Sequence, residues 1–483
     1  MRCWGNGYRG RRPARQISVC DADLENWISK RRMMTKRKID SQQAHSYFKM
    51  VPLAVLAAAG LCERQAKASV IAEAWGYNAA GELGDGTTTN RTAPVVIGGL
   101  SSGVTAVAAG YIHSLAIQNG SVWAWGSNGY GQLGDGTMAN RTAPVAIIGL
   151  SSGVTAIAGG DSHSMAIKDG GVWSWGWNAY GMLGDDTRID HTAPVAVTGL
   201  SSGVTAIAAG AIHSLAIQNG GAWAWGYNST GALGDGTVNV RTAPVAVIGL
   251  SSGVTAIAAG AIHSLAVQNG GVWAWGYNFD GELGDGTTTQ RNAPVALSNL
   301  SSGVTAVAGG YSHSLAVQNG SVWAWGDNRY GQLGDGTITN RTAPEEIDSA
   351  DLTSIIAVAA GALSSYALSG DGSLWVWGYN GRGDLGLDSN TSYYMTPQHL
   401  LPPSGYLFSS VDSDAKGDHA LATLAVATPE PATLSLLAIS GLALLARCRR
   451  NCRSYIEARN FVSGLLTPHT PPTAPAAHKY FPP

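Results

Sequence analysis

The chain is 483 residues long, 45% hydrophobic and 13% charged, with 64 glycines, 16 tryptophans and 5 phenylalanines. This much apolar content at a net charge of -2 excludes a disordered chain, and the irregular glycine spacing excludes a collagen-like one. The charge is divided along the sequence: residues 1–68 carry 14 basic against 5 acidic side chains, residues 69–431 carry 10 against 26, and residues 432–483 carry 6 against 1, so an acidic body repels phosphate backbones and argues against nucleic acid as a partner.

Residues 1–68 read as a leader. The apolar run MVPLAVLAAAGL (50–61) follows Lys36, Arg37, Lys38 and Lys49 and precedes Ala66-Lys67-Ala68. A basic stretch, a 12-residue apolar segment and small residues at a cleavage point make a secretory signal peptide, with cleavage expected before Ser69. The first 32 residues add nothing to such a signal, so translation is expected to start at Met33 or Met34.

Residues 69–427 are built from a repeat. SSGVTA begins at 101, 151, 201, 251 and 301, a period of 50. Trp-Gly-x-Asn occurs at Trp75, Trp125, Trp175, Trp225, Trp275, Trp325 and Trp377. Each unit divides into four short strand-like pieces; the second unit reads VTAVAAG, HSLAIQ, SVWAWG and APVAIIGL. Asn119-Gly120 between the middle pieces is a tight-hairpin signal, repeated as Asp169-Gly170, Asn219-Gly220, Asn269-Gly270, Asn319-Gly320 and Asp371-Gly372. Trp123 and Trp125 are two apart, so on a strand both rings point to one face, and their copies are expected to build one large core.

Seven such units predict an all-β, seven-bladed propeller of four-stranded antiparallel blades. The body starts in mid-unit at Glu73-Ala74-Trp75-Gly76 and stops in mid-unit at Gly417-Asp418-His419-Ala420. The two halves therefore make one blade and close the ring. The body contains no cysteine: Cys3, Cys20 and Cys62 precede it, and Cys448 and Cys452 follow it. Disulfides, thiolate nucleophiles and Cys-based metal sites are therefore not expected in it.

The pattern G-x-x-H-S-x-A followed by W-x-W-G-x-N-x-x-G-x-L-G-D-G-T, over roughly residues 69–427, resembles the regulator of chromosome condensation repeat. The resemblance implies the propeller. Its founding eukaryotic member is a nucleotide exchange factor for a small GTPase that also binds chromatin, and its bacterial relatives include secreted propellers, one of which inhibits β-lactamases. Exchange activity is not carried over, because fold does not fix function and no blade has a wedge-like insertion.

Residues copied into every blade serve the fold first. His113, His163, His213, His263, His313 and His419 share one blade position, and their spacing around a ring is too wide for metal bonds of about 2 Å, so hydrogen bonding to neighbouring serines is expected. Asp85, Asp135, Asp185, Asp235, Asp285 and Asp335 lie six residues before an arginine, or before His191, and are expected to pair with it. Function is sought where the copies differ. Tyr77, Tyr130, Trp177, Tyr180, Tyr227, Tyr277, Phe279, Tyr330 and Tyr379 fall in variable loop windows and are the candidate ligand-binding residues. The alternative is packing between blades. Residues found in one unit alone, such as Asp161, Lys168, Asp186, Asp190 and His191, gather in one blade's loops and are candidates for a catalytic cluster. No nucleophile, metal or phosphate-loop signature accompanies them, so no enzyme and no cofactor are expected.

The tail, 428–453, places Pro429-Glu430-Pro431 before the apolar run 432–446 and then Arg447, Arg449, Arg450 and Arg453. This order resembles the PEP-CTERM sorting signal of Gram-negative bacteria, which an exosortase processes at the membrane. The resemblance implies a short hydrophobic helix across the inner membrane with its basic end inside, followed by delivery to the envelope, surface or matrix. A plain membrane anchor is the alternative. Sorting signals of this kind stop at the arginines, whereas here a Pro-rich stretch, 454–483, continues. Together these readings predict an exported, non-enzymatic binding or scaffold protein, holding a protein or polysaccharide on one propeller face; the alternative is a secreted inhibitor of an extracellular enzyme.

Overall fold

The computed structural model describes residues 71–349 and 352–427. The leader, the expected hydrophobic helix at 432–446, the Pro-Glu-Pro and arginine motifs and the tail at 454–483 lie outside the described residues. Within them the chain forms seven four-stranded antiparallel sheets, whose inner strands follow one another around a ring. This is the expected seven-bladed propeller. The described residues contain one 3-10 turn, Ser298–Leu300, and no helix long and apolar enough to cross a membrane.

Blade 2 shows the plan. Its inner strand is Val104–Ala109, its second His113–Gln118, its third Ser121–Gly126 and its outer strand Arg141–Ala146. Asn119 (φ 53°) and Gly120 (φ 79°) link the second and third strands, both in the left-handed region that a two-residue hairpin of matching twist requires. The same pair of conformations recurs at Asp169-Gly170, Asn219-Gly220, Asn269-Gly270 and Asn319-Gly320. Blade 7 departs from the expectation. At Asp371-Gly372 only the glycine has positive φ (87°), and the loop between Leu368 and Leu374 is one residue longer than its counterpart between Ile117 and Val122.

Blade 1 closes the ring. Its inner and second strands, Tyr406–Ser413 and His419–Val426, come from the end of the body; its third and outer strands, Ile71–Gly76 and Arg91–Val96, come from the beginning. Six residue pairs join the halves, from Ile71 opposite Leu424 to Trp75 opposite Ala420 and Gly76 opposite His419. The core is not the single mass expected from the tryptophans. It is divided into seven apolar slabs, one between each pair of neighbouring blades, each holding one fully buried tryptophan. The reason is geometric: each sheet is covered on both faces by its neighbours, so apolar side chains on both faces of a strand are buried in different slabs.

Each slab is fastened by a polar clasp. In blade 3 the Trp175 indole N–H and the Ser164 hydroxyl both donate to the Gln132 carbonyl of blade 2, each at 2.8 Å. His163 of blade 3 in turn reaches Ser214 of blade 4 at 3.0 Å, while Ser214 and Trp225 hold the Met182 carbonyl of blade 3. The clasp repeats at six of the seven junctions, closing from His419 of blade 1 onto Ser114 of blade 2. The glycine of G-x-x-H makes room for the ring: a Cβ on Gly110 would lie 2.2 Å from His113 Cε1 and 2.7 Å from the Gly160 carbonyl oxygen.

At the junction of blades 7 and 1 the parts are changed. Ser364 stands in the histidine position and Ala420 in the serine position. Tyr366, fully buried where other blades carry Leu or Met, sends its hydroxyl to the Asp384 carbonyl at 2.6 Å, and Trp75 donates to the same oxygen at 2.9 Å. One tyrosine hydroxyl from blade 7 thus replaces the serine missing from blade 1. Tyr366→Phe is expected to lower unfolding free energy by about 1–3 kcal/mol, the cost of leaving buried polar groups short of a partner. Adding Ala420→Ser, which supplies the hydroxyl the other junctions use, is expected to restore part of it. Denaturant unfolding of the single and double variants checks both statements.

Candidate functional site

All seven long loops between third and outer strands emerge on one face of the ring, together with the short turns between inner and second strands. Within each loop a buried asparagine organises the backbone. In blade 2, Asn128 Oδ1 accepts the Leu133 N–H at 3.0 Å and its Nδ2 donates to Asp135 at 3.2 Å and to the Thr137 carbonyl at 3.1 Å. Asp135 accepts both the amide and hydroxyl of Thr137 and pairs with Arg141 at 2.7 Å. Burial opposes ionisation there, but Thr137 and Arg141 hold the carboxyl below the usual range. The expected Asp–Arg pairing is found in blades 1, 2, 4, 5 and 6, with His191 on Asp185 in blade 3. These residues shape the loops and leave the variable positions to project from them.

The nine candidate aromatics fall into groups on this face. Tyr130 of blade 2, Trp177 and Tyr180 of blade 3, and Tyr227 of blade 4 form one arc, with successive ring centroids 5.7, 5.7 and 5.1 Å apart. Tyr330 of blade 6 meets Tyr379 of blade 7 at 5.3 Å, Tyr277 stacks with Phe279 within blade 5 at 6.4 Å, and Tyr77 of blade 1 lies under the Arg382 guanidinium of blade 7 at 4.8 Å. The contacts across blades show packing; the exposure of Tyr130 (45%) and Phe279 (73%) shows that this packing leaves ring surface free. Asp280, Asp327 and Arg329 form a charged cluster beside Phe279 and Tyr330.

The candidate catalytic cluster does not assemble. Asp190 accepts the Asn178 N–H, His191 pairs with Asp185, and Asp186 accepts the Thr242 hydroxyl of the next blade. Lys168 bonds the Gly149 carbonyl at the opposite end of the strands, and Asp161 pairs with Lys416 of blade 1. Each side chain has a separate local partner, so they do not share a substrate position.

The central channel contains a feature that none of the repeat motifs announces. A cavity of about 220 Å³ is walled by Val, Ile, Ala and Gly from six inner strands, whereas blade 1 supplies Asp412, Ser413, Asp414 and Ala415. Six blades separate the end of the inner strand from the histidine or its replacement by three residues; blade 1 uses five, 414–418. This longer turn carries Lys416 over the mouth to Asp161 of blade 3, at 3.0 Å. The signal was legible as a spacing change, Ser413 to His419 against Ala109 to His113.

The ring of histidines is chemically quiet. Each serine hydroxyl donates to a loop carbonyl, so its oxygen must accept from the neighbouring His Nε2–H, which fixes a neutral tautomer. The Nδ1 atoms of all six rings are buried with no partner among the described residues. Burial, helped at several sites by repulsion from adjacent rings, pushes the pKa to about 3 at His113, His163 and His263 and to about 4 at His213, His313 and His419. Among the described residues no three His, Cys, Asp or Glu side chains converge as metal ligands would.

Comparison with known proteins agrees with this architecture. The family model described as the regulator of chromosome condensation (RCC1) repeat matches seven consecutive segments, 74–117, 119–167, 169–217, 219–267, 269–317, 319–368 and 371–422. No curated protein matches the chain in sequence. Among solved structures, human WBSCR16 is 23% identical with a TM-score of 0.66, covering 75% of this chain and 100% of its own. Prp20p from Saccharomyces cerevisiae, studied for its binding to Gsp1p and histones, is 22% identical with a TM-score of 0.66, covering 78% of this chain and 96% of its own. At these identities the likeness carries the fold alone.

The neutral histidines allow a pH test. An unfolded ring protonates below about pH 6.5 and the folded one does not, so its contribution to stability is complete above 6.5 and falls as pH drops toward the folded value. Buried carboxylates act in the opposite sense, since Glu282, Asp384 and Asp412 are pushed up to about 7 and Asp414 to about 8, chiefly by burial. The histidine effect is therefore read by difference. His213→Gln is expected to lower the slope of stability against pH by up to about 1.4 kcal/mol per pH unit between pH 5 and 6. Urea unfolding of both proteins at several pH values checks it.

Proposed function

Because this chain belongs to the regulator of chromosome condensation repeat family, whose repeat here builds a rigid ring, we propose that it is an exported, non-enzymatic binding or scaffold protein of the bacterial envelope or extracellular matrix. One observation carries the binding role: the copies differ mainly on one face, and there they present partly exposed aromatic rings, foremost the arc Tyr130–Trp177–Tyr180–Tyr227. Aromatics on loops over a stiff scaffold suit the recognition of proteins and sugars at low ordering cost. The leader and the Pro-Glu-Pro tail of the sequence support export and processing by an exosortase-type enzyme, with residues 432–446 in the membrane before processing. The binding of Gsp1p and histones named for Prp20p is not transferred to this acidic body.

A second reading, a secreted inhibitor that covers a partner enzyme, is favoured by the charged cluster Asp280, Asp327 and Arg329 beside the exposed Phe279. Aromatic and arginine side chains such as Phe279 and Arg329 are enriched where proteins meet.

The tagged full chain, expressed in its own host and followed by cell fractionation, is expected in the envelope and extracellular material; recovery in the cytoplasm contradicts export. Trp177→Ala with Tyr227→Ala is expected to keep unfolding free energy within about 1 kcal/mol while reducing retention on the co-purifying surface material at least tenfold. A loss of several kcal/mol with retention unchanged would assign these rings to packing instead.

A further inference from the structure

The mouth of the central channel is built unlike any other part of the ring. Six inner turns follow one plan, and several are tied neighbour to neighbour by backbone bonds such as Asp161 N–H to the Ala211 carbonyl and Ala211 N–H to the Ala261 carbonyl. The seventh, in blade 1, has two extra residues and brings two carboxylates to the channel. Asp412 uses Oδ2 to accept the Ala109 N–H at 2.8 Å. Asp414 is 3% exposed; its Oδ1 accepts the Lys416 N–H at 2.9 Å, and its Oδ2, buried at the channel mouth, has no partner among the described residues. Asp161 adds a third carboxylate to the rim, and Lys416 supplies one ammonium.

Six blades close the equivalent turn with three residues and no buried carboxylate. A buried carboxylate oxygen without a donor is costly. We propose that the channel mouth is a receptor for a basic side chain, a primary ammonium carried by a partner protein, and that Lys416, held beside this position by Asp161, screens it until the partner arrives. The cavity, about 220 Å³, is smaller than the roughly 300–1,000 Å³ of small-molecule pockets, and so fits one side-chain terminus rather than a metabolite. Asp414 Oδ2 and Asp412 face the incoming charge. Tyr111 and Tyr311, exposed at the equivalent turns of blades 2 and 6, can pack against its aliphatic stem. The acidic balance of the body, 10 basic against 26 acidic residues over 69–431, draws basic partners to it. This rests on the binding reading above and gives it a partner chemistry.

The test uses the purified full chain and Nα-acetyl-lysine amide as probe, with the same compound acetylated on its side-chain amine as control. Calorimetric titration of Lys416→Ala, which removes the internal ammonium, is expected to show saturable binding of one probe per chain, at least tenfold tighter than in the unaltered protein. The control is expected not to bind, and adding Asp414→Asn is expected to weaken binding at least tenfold. Affinity is expected to rise from pH 6 to 8, because Asp412 and Asp414, which burial pushes up to about 7 and about 8, must be ionised to hold a cation. Lys416→Gln serves as the second variant if Lys416→Ala fails to fold. No saturable binding in a folded Lys416 variant, equal binding of the control, or indifference to Asp414→Asn would overturn the proposal. The titration does not depend on where the protein resides, so its failure is separate from failure of the export reading.

Discussion

The structure depends on a hydrogen-bonded clasp that each blade makes with the next. A carbonyl in the loop of one blade is gripped by a tryptophan and a serine of its neighbour, and the serine is held in turn by a histidine from the first blade. These groups are fully buried between apolar slabs, where an unmade hydrogen bond costs more than in water. The clasp therefore fixes the spacing and tilt of adjacent blades as well as adding attraction. Without it, the slabs of Val, Ile, Leu and Ala would tolerate sliding, since apolar packing alone has little directional preference. The seam between blades 7 and 1 is informative because the clasp is kept there while its parts are exchanged: Tyr366 delivers from within blade 7 the hydroxyl that Ala420 lacks.

This constraint divides the work among residues. Gly-x-x-His-Ser, Trp-Gly-x-Asn and Asp-Gly-Thr are committed to blade junctions and loop frames, so they cannot be altered to suit a ligand. The positions beside them carry no such duty. There the blades present tyrosine, tryptophan, phenylalanine or charge, and the ring becomes a stiff circular platform bearing one varied face. Blade 1 adds the one large irregularity of the channel, a longer turn that brings carboxylates and a lysine to its mouth.

Much of the architecture was legible in the sequence. The period of 50, the repeated Asn-Gly turns and the split first unit fix the number of blades and the closure of the ring, because strand pairing and hairpin geometry are local and repeat with the residues that cause them. Two details were not. The core looked like one mass, since burial of Trp125 and its copies says nothing about which neighbours bury them. Asp371-Gly372 resembled the other turns, but one extra residue between Leu368 and Leu374 moved the left-handed position onto the glycine alone. The site was harder to read. The aromatics could be placed on one face by their loop positions, yet their grouping into an arc depends on which blade stands beside which. Asp161, Lys168, Asp186, Asp190 and His191 looked like a cluster because they are close in sequence, whereas Asp161 finds its partner 255 residues away in Lys416. Asp412 and Asp414 carried only a weak signal, a change in spacing before His419.

The central claim is that six neutral histidines, each donating through Nε2 to the serine of the next blade, hold the ring in register. Nitrogen-15 NMR of the histidine side chains tests it most directly. The account predicts six rings locked in the Nε2–H form, with bare Nδ1 signals that stay unprotonated from pH 7 down to about pH 5. Rings that titrate near pH 6.5, or that populate the Nδ1–H form, would contradict it.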